Sequence, residues 1–433
     1  MNKRKVFNNA KWLIVCKTAQ SLLQLLIGMM TARYLGPAGY GLINYAKSIV
    51  AFVIPFVQLG LDSTLVKEFV DDPEQEGRII GTSLLMGAVS SFAAMIAVGA
   101  FVSVFNRNEP QTILVCVLYS LSLFFQAITL IQYWFHKNLK AKYPAVVQFI
   151  VYVLVAAYKI YLLISGKSVY WFALVYSVEF GLFGVSLLFF YRKLSGQKIS
   201  WSLSLGRKLI SRSYPYIWAT LMVNVFQNTD HIMLKMMTGN EENGLYTAAI
   251  TATAVCQYVY YAIIDSMRPV IVESKKRNVG EYHKSVSLLY GIITYLGLLQ
   301  SIGFAVLADL IIYVMYGSEY AAAANILRVL VWYVSFSFMG VVRNVWILAE
   351  GKQHCLWKIN LAGVVINAVI NFALIPHWGA YGAAVASFFT QFLINFCLGF
   401  VYEPIKENNR LLLAGLNPSM IIHSLKKENN GGK

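Results

Sequence analysis

The chain has 433 residues, of which 58% are hydrophobic and only 13% are charged, and its formal net charge is +16. Soluble proteins contain about half apolar and a quarter charged residues, so this composition excludes an ordinary soluble domain. The apolar residues form runs long enough to cross a hydrocarbon core of about 30 Å at 1.5 Å per residue. They predict an all-α polytopic membrane protein.

Twelve hydrophobic segments are predicted to cross the membrane, six in each half of the chain. The predicted spans cover residues 10–34, 39–62, 79–105, 111–135, 143–164, 169–191, 214–237, 244–267, 284–314, 322–348, 354–375 and 379–402. The predicted domains are an N-terminal six-helix bundle (1–191), a cytoplasmic linker (192–213), a C-terminal six-helix bundle (214–402) and a cytoplasmic tail (403–433). An even number of spans places both termini on one side.

Lysine and arginine assign that side to the cytoplasm, because cationic loops are retained there. Most of the 36 cations lie in the termini and the even-numbered loops, whereas Arg33, Arg107 and Lys167 lie near the opposite ends of the spans. The net charge therefore describes loops that face anionic lipid head groups, and nucleic-acid binding is not indicated. The N-terminal segment leads into a full-length span without a small-residue cleavage site, so we expect no cleavable signal.

Several classes of membrane enzyme are disfavoured by the sequence. The loops on the non-cytoplasmic side are all short, which leaves no room for an external catalytic domain. There is no HExxH zinc motif, and the segment Gly166-Lys167-Ser168 lacks the first glycine of a phosphate-binding loop because Tyr161 occupies that position. The five cysteines all lie within predicted spans, without the spacing of a metal site. We expect no catalytic residue, no metal and no cofactor.

The two halves of the chain resemble each other. An offset of 203 residues aligns residues 24–63 with residues 227–266 and gives nine identical pairs, where about two or three are expected by chance. The pairs are Gln24/Gln227, Met30/Met233, Gly36/Gly239, Gly41/Gly244, Leu42/Leu245, Ala46/Ala249, Ala51/Ala254, Asp62/Asp265 and Ser63/Ser266. Two parallel six-helix repeats around a central cavity are predicted, an arrangement used by alternating-access transporters.

Polar residues inside four predicted spans fall on one side of each helix. The stripes are Lys17, Gln20, Ser21, Gln24, Gly28 and Thr31 in the first span; Asn44, Lys47, Ser48, Ala51, Pro55, Gln58 and Asp62 in the second; Thr220, Asn224, Gln227, Asn228, His231 and Lys235 in the seventh; and Thr247, Thr251, Tyr258, Tyr261 and Asp265 in the eighth. Interhelical hydrogen bonds, worth about 0.6 kcal/mol each, would explain the threonines and serines.

Lys17 and Lys47 favour a different interpretation, a water-filled lumen. A charge deep in the bilayer costs at least about 2.5 kcal/mol unless it faces water, a partner or a cavity. The candidate lumen residues are Lys17, Gln20, Gln24, Asn44, Lys47, Gln58, Asn224, Gln227, Lys235 and Arg328. Glu179 lies near the middle of the sixth span, either as a coupling-ion site or as the partner of a cation. Arg343 and Lys159 are expected to snorkel to the interfaces instead.

Three stretches of sequence carry a family resemblance. They are Arg33–Gly41 (RYLGPAGYG), Asp230–Leu234 (DHIML) followed by Gly244–Ala249 (GLYTAA), and Asn371–Pro376 (NFALIP) followed by Gly379–Ala386 (GAYGAAVA). They resemble signatures of the bacterial O-antigen and polysaccharide flippase family. That family belongs to the same superfamily as the multidrug and toxin extruders and the lipid II flippase.

The resemblance implies that an undecaprenyl-diphosphate-linked oligosaccharide is moved from the cytoplasmic to the periplasmic leaflet of the bacterial inner membrane. Lys17 and Lys47 suit an anionic diphosphate by charge. Coupling to a proton or sodium gradient is expected for this superfamily, with Asp62, Glu179 and Asp265 as the candidate carboxylates. The implied partners are the lipid-linked oligosaccharide and membrane lipids, with a polysaccharide polymerase as a further candidate.

Other functions stay open at this point. A multidrug exporter of the same superfamily would share the architecture, although its lumen is usually acidic and these stripes carry Lys17, Lys47 and Lys235. A membrane glycosyltransferase or polymerase would need a larger external loop. A scaffolding protein would have little reason to place lysines inside its spans.

Overall fold

The computed structural model describes residues 3–195 and 197–418, without the side chains of residues 3–15, 195, 255 and 256. Every regular element in those ranges is helical, which confirms the predicted all-α class. The chain forms two compact units, Met1–Asn228 and Thr229–Lys433. The boundary between the units falls inside one helix. The domain limits inferred from sequence remain predictions.

The first unit contains helices α1 to α8 and most of α9. Their bounds are α1 Lys3–Gln58, α2 Leu65–Asp71, α3 Glu76–Phe105, α4 Pro110–Ser120, α5 Ser122–Ile128, α6 Gln132–Lys137, α7 Lys142–Ile164, α8 Val169–Ser195 and α9 Leu203–Thr238. Helix α1 packs against α3, α4 and α7, and α8 packs against α4, α5 and α7.

The second unit contains the end of α9 and helices α10 to α16. Their bounds are α10 Asn240–Arg277, α11 Val279–Val306, α12 Ala308–Tyr316, α13 Ala323–Ala349, α14 Leu356–Phe392, α15 Leu398–Val401 and α16 Lys406–Gly415. Helix α13 is central, because it packs against α10, α11 and α14. Phe338 of α13 stacks on Tyr260 of α10, with ring centroids 4.3 Å apart.

Eight helical segments in the described ranges are long and apolar enough to cross a membrane, or nine if the two parts of the bent helix α10 form one span. Two of the eight segments, Cys16–Gln58 and Gln353–Val401, are 43 and 49 residues long. Each contains a glycine with non-helical backbone angles, Gly36 or Gly379, at which two helical stretches meet. These features establish a multi-pass membrane protein, and the count of twelve spans remains a prediction.

Gly36 and Gly239, which are paired in the sequence alignment of the two halves, share an uncommon backbone conformation. Their angles are φ 65°, ψ 175° and φ 107°, ψ −177° respectively. Side-chain-bearing residues rarely adopt this region, and glycine does so freely. Each glycine begins a new helical stretch. Glycine is needed at each junction because of its positive φ.

Gly239→Ala is expected to destabilise the protein by about 1–3 kcal/mol, because alanine is strained at a positive φ. Gly303→Ala is a matched control: Gly303 lies within α11, and at both positions no atom lies within 4 Å of an added Cβ. The control should be neutral or more stable by up to about 1 kcal/mol. Thermal unfolding in detergent would measure the difference. Equal melting temperatures for the two variants would contradict the role assigned to the backbone angle.

The linker between α8 and α9 lies along the start of α3. The backbone N–H of Ser202 donates to Thr82 Oγ1 at 3.0 Å, and that of Gly77 donates to Gln197 Oε1 at 2.8 Å. Just beyond the linker, Arg212 of α9 donates to the buried carboxylate of Glu68 at 2.7 Å. These contacts hold the beginning of α9 within the first unit.

Arg343 contradicts the interfacial position expected from sequence. It is only 4% exposed, and its guanidinium donates to the carbonyl of Ile394 at 2.9 Å. Ile394 belongs to a π-helical turn, Leu393–Cys397, which changes the regular pairing of backbone carbonyls. The guanidinium therefore donates to the backbone inside the second unit instead of extending to an interface.

Candidate functional site

Lys47 lies in the helical segment Cys16–Gln58, which is long and apolar enough to cross a membrane. It follows Gly36 by 11 residues, or about 16 Å along the helix, roughly half of the hydrocarbon thickness. Its side chain is exposed on the first unit. The deep position of Lys47 in the bilayer remains a prediction.

A second cation, Lys159, interacts with both Lys47 and a carboxylate. The ammonium of Lys159 sits 5.1 Å from the ring centroid of Tyr176, and Lys159 interacts electrostatically with both Glu179 and Lys47. The ammonium of Lys159 thus contacts an aromatic ring of the first unit, and its snorkelling to an interface remains a prediction. We call Lys47, Lys159, Glu179 and Tyr176 the lysine cluster.

The lysine cluster combines two positive charges with one negative charge. Glu179 can compensate one lysine, which leaves a net positive charge when both lysines are protonated. Membrane-embedded ionisable groups of this kind mark substrate or ion pathways. The cluster is chemically suited to hold an anionic group such as a phosphate.

Lys17 has a different position from Lys47. It precedes Gly36 by 19 residues, or about 28 Å of helix, so it lies near the predicted cytoplasmic end of its span. It is exposed and interacts electrostatically with His136, which lies in α6. Lys17 and Lys47 therefore lie at different distances from the Gly36 junction.

The structure gives the other candidate lumen residues a range of exposures. Gln24 and Gln227 are exposed, Lys235 is buried, and partly buried positions are held by Gln20, Asn44, Gln58, Asn224 and Arg328. Two amides bind backbone carbonyls: Asn44 donates to Tyr40 at 2.9 Å and Asn224 donates to Ala51 at 2.8 Å. A packing role is thus observed for these two amides, and a role in the lumen remains a prediction for the whole set.

The three carboxylates proposed for ion coupling lie in different surroundings. Asp62 is in a short 3-10 helix, Leu61–Ser63, beyond the end of α1. Asp265 is exposed and forms an ion pair with Arg268, one turn along α10. Glu179 lies in the lysine cluster. None of the three is enclosed by several hydrogen-bond donors in the described part of the chain.

A fourth carboxylate, Asp230, is enclosed in that way. Asn371 donates to its Oδ1 at 2.6 Å, and the hydroxyl groups of Tyr246 and Ser387 both donate to its Oδ2 at 2.6 Å. Asp230 is 8% exposed and all three donors are more deeply buried. We call these four residues the aspartate site.

The aspartate site has acceptors available for a cation. No ion pair to Asp230 occurs within the described ranges. The Oδ1 atom of Asn371 is buried without a hydrogen-bond partner, and the amide of the same residue also donates to Asn367 Oδ1 at 3.0 Å. A buried carboxylate surrounded by neutral groups carries a negative charge that a bound cation would compensate. Carboxylate, amide and hydroxyl oxygens are suitable ligands for a hard cation.

Asp230 is not among the residues predicted from sequence, because it lies beside the polar stripe of the seventh span and not on it. Its donor Tyr246 lies in the next helix, α10, whereas Asn371 and Ser387 lie in α14, 141 and 157 residues away in the sequence. Two features of the sequence point to this site. Asp230 is the single acidic residue of its predicted span, and Asn371 belongs to the NFALIP stretch that carries the family resemblance.

The sequence is similar to a protein family and to individual proteins over most of its length. The profile of the family described as "Polysaccharide biosynthesis protein" matches residues 6–275. The capsular polysaccharide biosynthesis protein CapF of Staphylococcus aureus is 20% identical over 405 residues, which cover 92% of this chain and 99% of CapF. A putative O-antigen transporter of Shigella dysenteriae is 20% identical over 186 residues, or 43% of this chain and 46% of that protein.

The fold is similar to that of a solved membrane protein, the lipid II flippase MurJ. The TM-score is 0.71 at 13% identity, and the superposition covers 96% of this chain and 92% of MurJ. At this identity the similarity concerns the fold alone.

Proposed function

The chain belongs to the polysaccharide biosynthesis protein family, and on this premise we propose that it flips a lipid-linked oligosaccharide across the membrane. Membership confirms the family resemblance seen in the sequence. The proposed substrate is an undecaprenyl-diphosphate-linked repeat unit for O-antigen or another surface polysaccharide. The observation that carries the proposal is the lysine cluster, because two cations at membrane depth suit a diphosphate head group.

The proposed transport runs from the cytoplasmic to the periplasmic leaflet of a bacterial inner membrane, by alternating access. Both termini would lie in the cytoplasm, as the distribution of lysine and arginine indicates. The relatives are a polysaccharide biosynthesis protein and a transporter by name, which supports a function without catalysis. The proposed partners are the lipid-linked oligosaccharide, membrane lipids and a polysaccharide polymerase.

We assign ion coupling to the aspartate site in preference to Asp62 or Asp265. Asp230 is buried among three donors, whereas Asp265 already has a neighbouring cation in Arg268. A proton or a sodium ion would neutralise Asp230, and its release on one side of the membrane would supply the free energy for transport. Both ions fit the oxygen-rich surroundings.

Purified protein in liposomes is expected to move an undecaprenyl-diphosphate-linked oligosaccharide between leaflets faster than protein-free liposomes do. The sugar carries a fluorescent label, and a membrane-impermeant quencher is added. The measurement is the fraction of the fluorescence that is quenched, which reports the label in the outer leaflet. A cationic dye of the kind that multidrug exporters carry serves as the competing substrate. Transport of the dye without movement of the glycolipid would contradict the proposal and favour the exporter.

A further inference from the structure

A pocket in the second unit is separate from the lysine cluster and the aspartate site. Its volume is about 440 Å³, within the range of roughly 300–1,000 Å³ that is usual for small-molecule sites. Three polar residues and two aromatic residues supply its distinctive chemistry: Glu242, Asn325, Arg328, Trp378 and Tyr381. We call it the outer pocket.

The outer pocket is built from three helix beginnings. Glu242 lies in the first turn of α10, Asn325 and Arg328 lie at the start of α13, and Trp378 and Tyr381 flank the break at Gly379 in α14. The positive-inside rule assigns all three places to the side opposite the cationic loops. Their convergence in one pocket agrees with that assignment, because they come from three separate loops.

The polar groups of the outer pocket are held in place. Glu242 Oε2 accepts a hydrogen bond from the backbone N–H of Ala380 at 2.6 Å and thereby caps the second stretch of α14. Arg328 donates to Asn325 Oδ1 at 2.6 Å and to Asp309 Oδ2 at 2.5 Å. These contacts leave Glu242 Oε1 and the amide N–H groups of Asn325 available to a ligand.

The two aromatic rings form an apolar corner beside these groups. Trp378 is 54% exposed and Tyr381 is 43% exposed. Their ring centroids are 6.2 Å apart and their planes meet at 64°. Large aromatic rings with exposed faces provide apolar contact together with a polar edge.

We infer that the outer pocket binds one neutral sugar residue. The assignment of this sugar to the transported glycan rests on the proposed function. A pyranose has C–H faces that pack on aromatic rings and a rim of hydroxyl groups that pair with carboxylate, amide and guanidinium groups. Glu242 and Asp309 outnumber the single cation Arg328, which disfavours a phosphate or an acidic sugar. A lipid tail has no groups that form hydrogen bonds with the polar side chains of the pocket.

Cysteine protection tests this inference. Ala322 lines the pocket and is exposed, so Ala322→Cys in a background without native cysteines reports its occupancy. A membrane-impermeant maleimide applied from the periplasmic side should label it. Galactose, glucose, mannose and N-acetylglucosamine are the neutral probes, glucuronate is the anionic probe, and betaine controls for osmolality. At a concentration equal to Kd, a bound sugar should slow labelling about two-fold.

At least one neutral sugar should protect the cysteine, and glucuronate and betaine should not. Trp378→Ala and Tyr381→Ala should each abolish that protection. Trp171→Ala is the matched control, because Trp171 is a similarly exposed tryptophan of the first unit, at 45%, and should leave protection unchanged. Absence of protection by every neutral sugar, or protection that survives both aromatic substitutions, would overturn the inference.

The result is separable from the outcome of the flipping assay. Sugar protection in a protein that does not move glycolipid would support the pocket and contradict the proposed function. Glycolipid movement without sugar protection would support the function and overturn the pocket. Labelling from the cytoplasmic side alone would overturn the outer placement of the pocket.

Discussion

Asp230→Asn is expected to lower gradient-driven transport by about 10- to 100-fold while the protein still folds. The substitution keeps the size of the side chain and removes the negative charge that three donors now surround. Hydrogen bonds to a charged group contribute about 1.5–3 kcal/mol each, and 1.4 kcal/mol corresponds to a factor of ten. Transport in liposomes under an imposed sodium or proton gradient would measure the loss.

Asp265→Asn is the matched control for this experiment. Asp265 also lies in a predicted span, but it is exposed and paired with Arg268, so its neutralisation should change transport less than two- to three-fold. Ser387→Ala should give an intermediate loss, since it removes one of the three donors to Asp230. Transport by Asp230→Asn at the normal rate under both gradients would exclude the aspartate site from coupling.

The features that sequence predicted correctly depend on composition and on local geometry. Composition and apolar runs long enough to cross a bilayer identified an all-helical membrane protein. Gly36 and Gly239 were matched by sequence alone, and both adopt a backbone conformation that glycine favours. The depth of Lys47, obtained by counting residues along the helix from the Gly36 junction, remains a prediction.

The chemistry of the sites depends on tertiary contacts that helix periodicity does not contain. The hydrogen bonds of Asp230 to Asn371 and Ser387 join α9 to α14 within the second unit, although these residues are far apart in sequence. The sequence predicts an interfacial position for Lys159. The packing of α7 against α8 places its ammonium over Tyr176 and near Glu179. A stripe shows which residues share a face, and packing decides which faces meet.

Lys47→Gln is expected to reduce glycolipid flipping by about ten-fold or more, because it removes one of two cations from the lysine cluster. A charged hydrogen bond to a phosphate is worth about 1.5–3 kcal/mol. Lys47→Arg keeps the charge in a planar group of different shape, so partial activity should remain. Surface polysaccharide and the leaflet distribution of the lipid-linked unit would be measured at equal protein abundance.

Lys17→Gln provides the comparison that tests depth as well as charge. Both lysines were predicted to meet the substrate, but Lys17 lies about 28 Å from the Gly36 junction and Lys47 about 16 Å. A diphosphate that crosses the membrane must pass the level of Lys47, whereas Lys17 can assist only its entry from the cytoplasmic side. Lys17→Gln should therefore weaken substrate binding several-fold and leave the maximal rate nearly unchanged. Unchanged flipping in the double variant would show that neither lysine contributes through its charge.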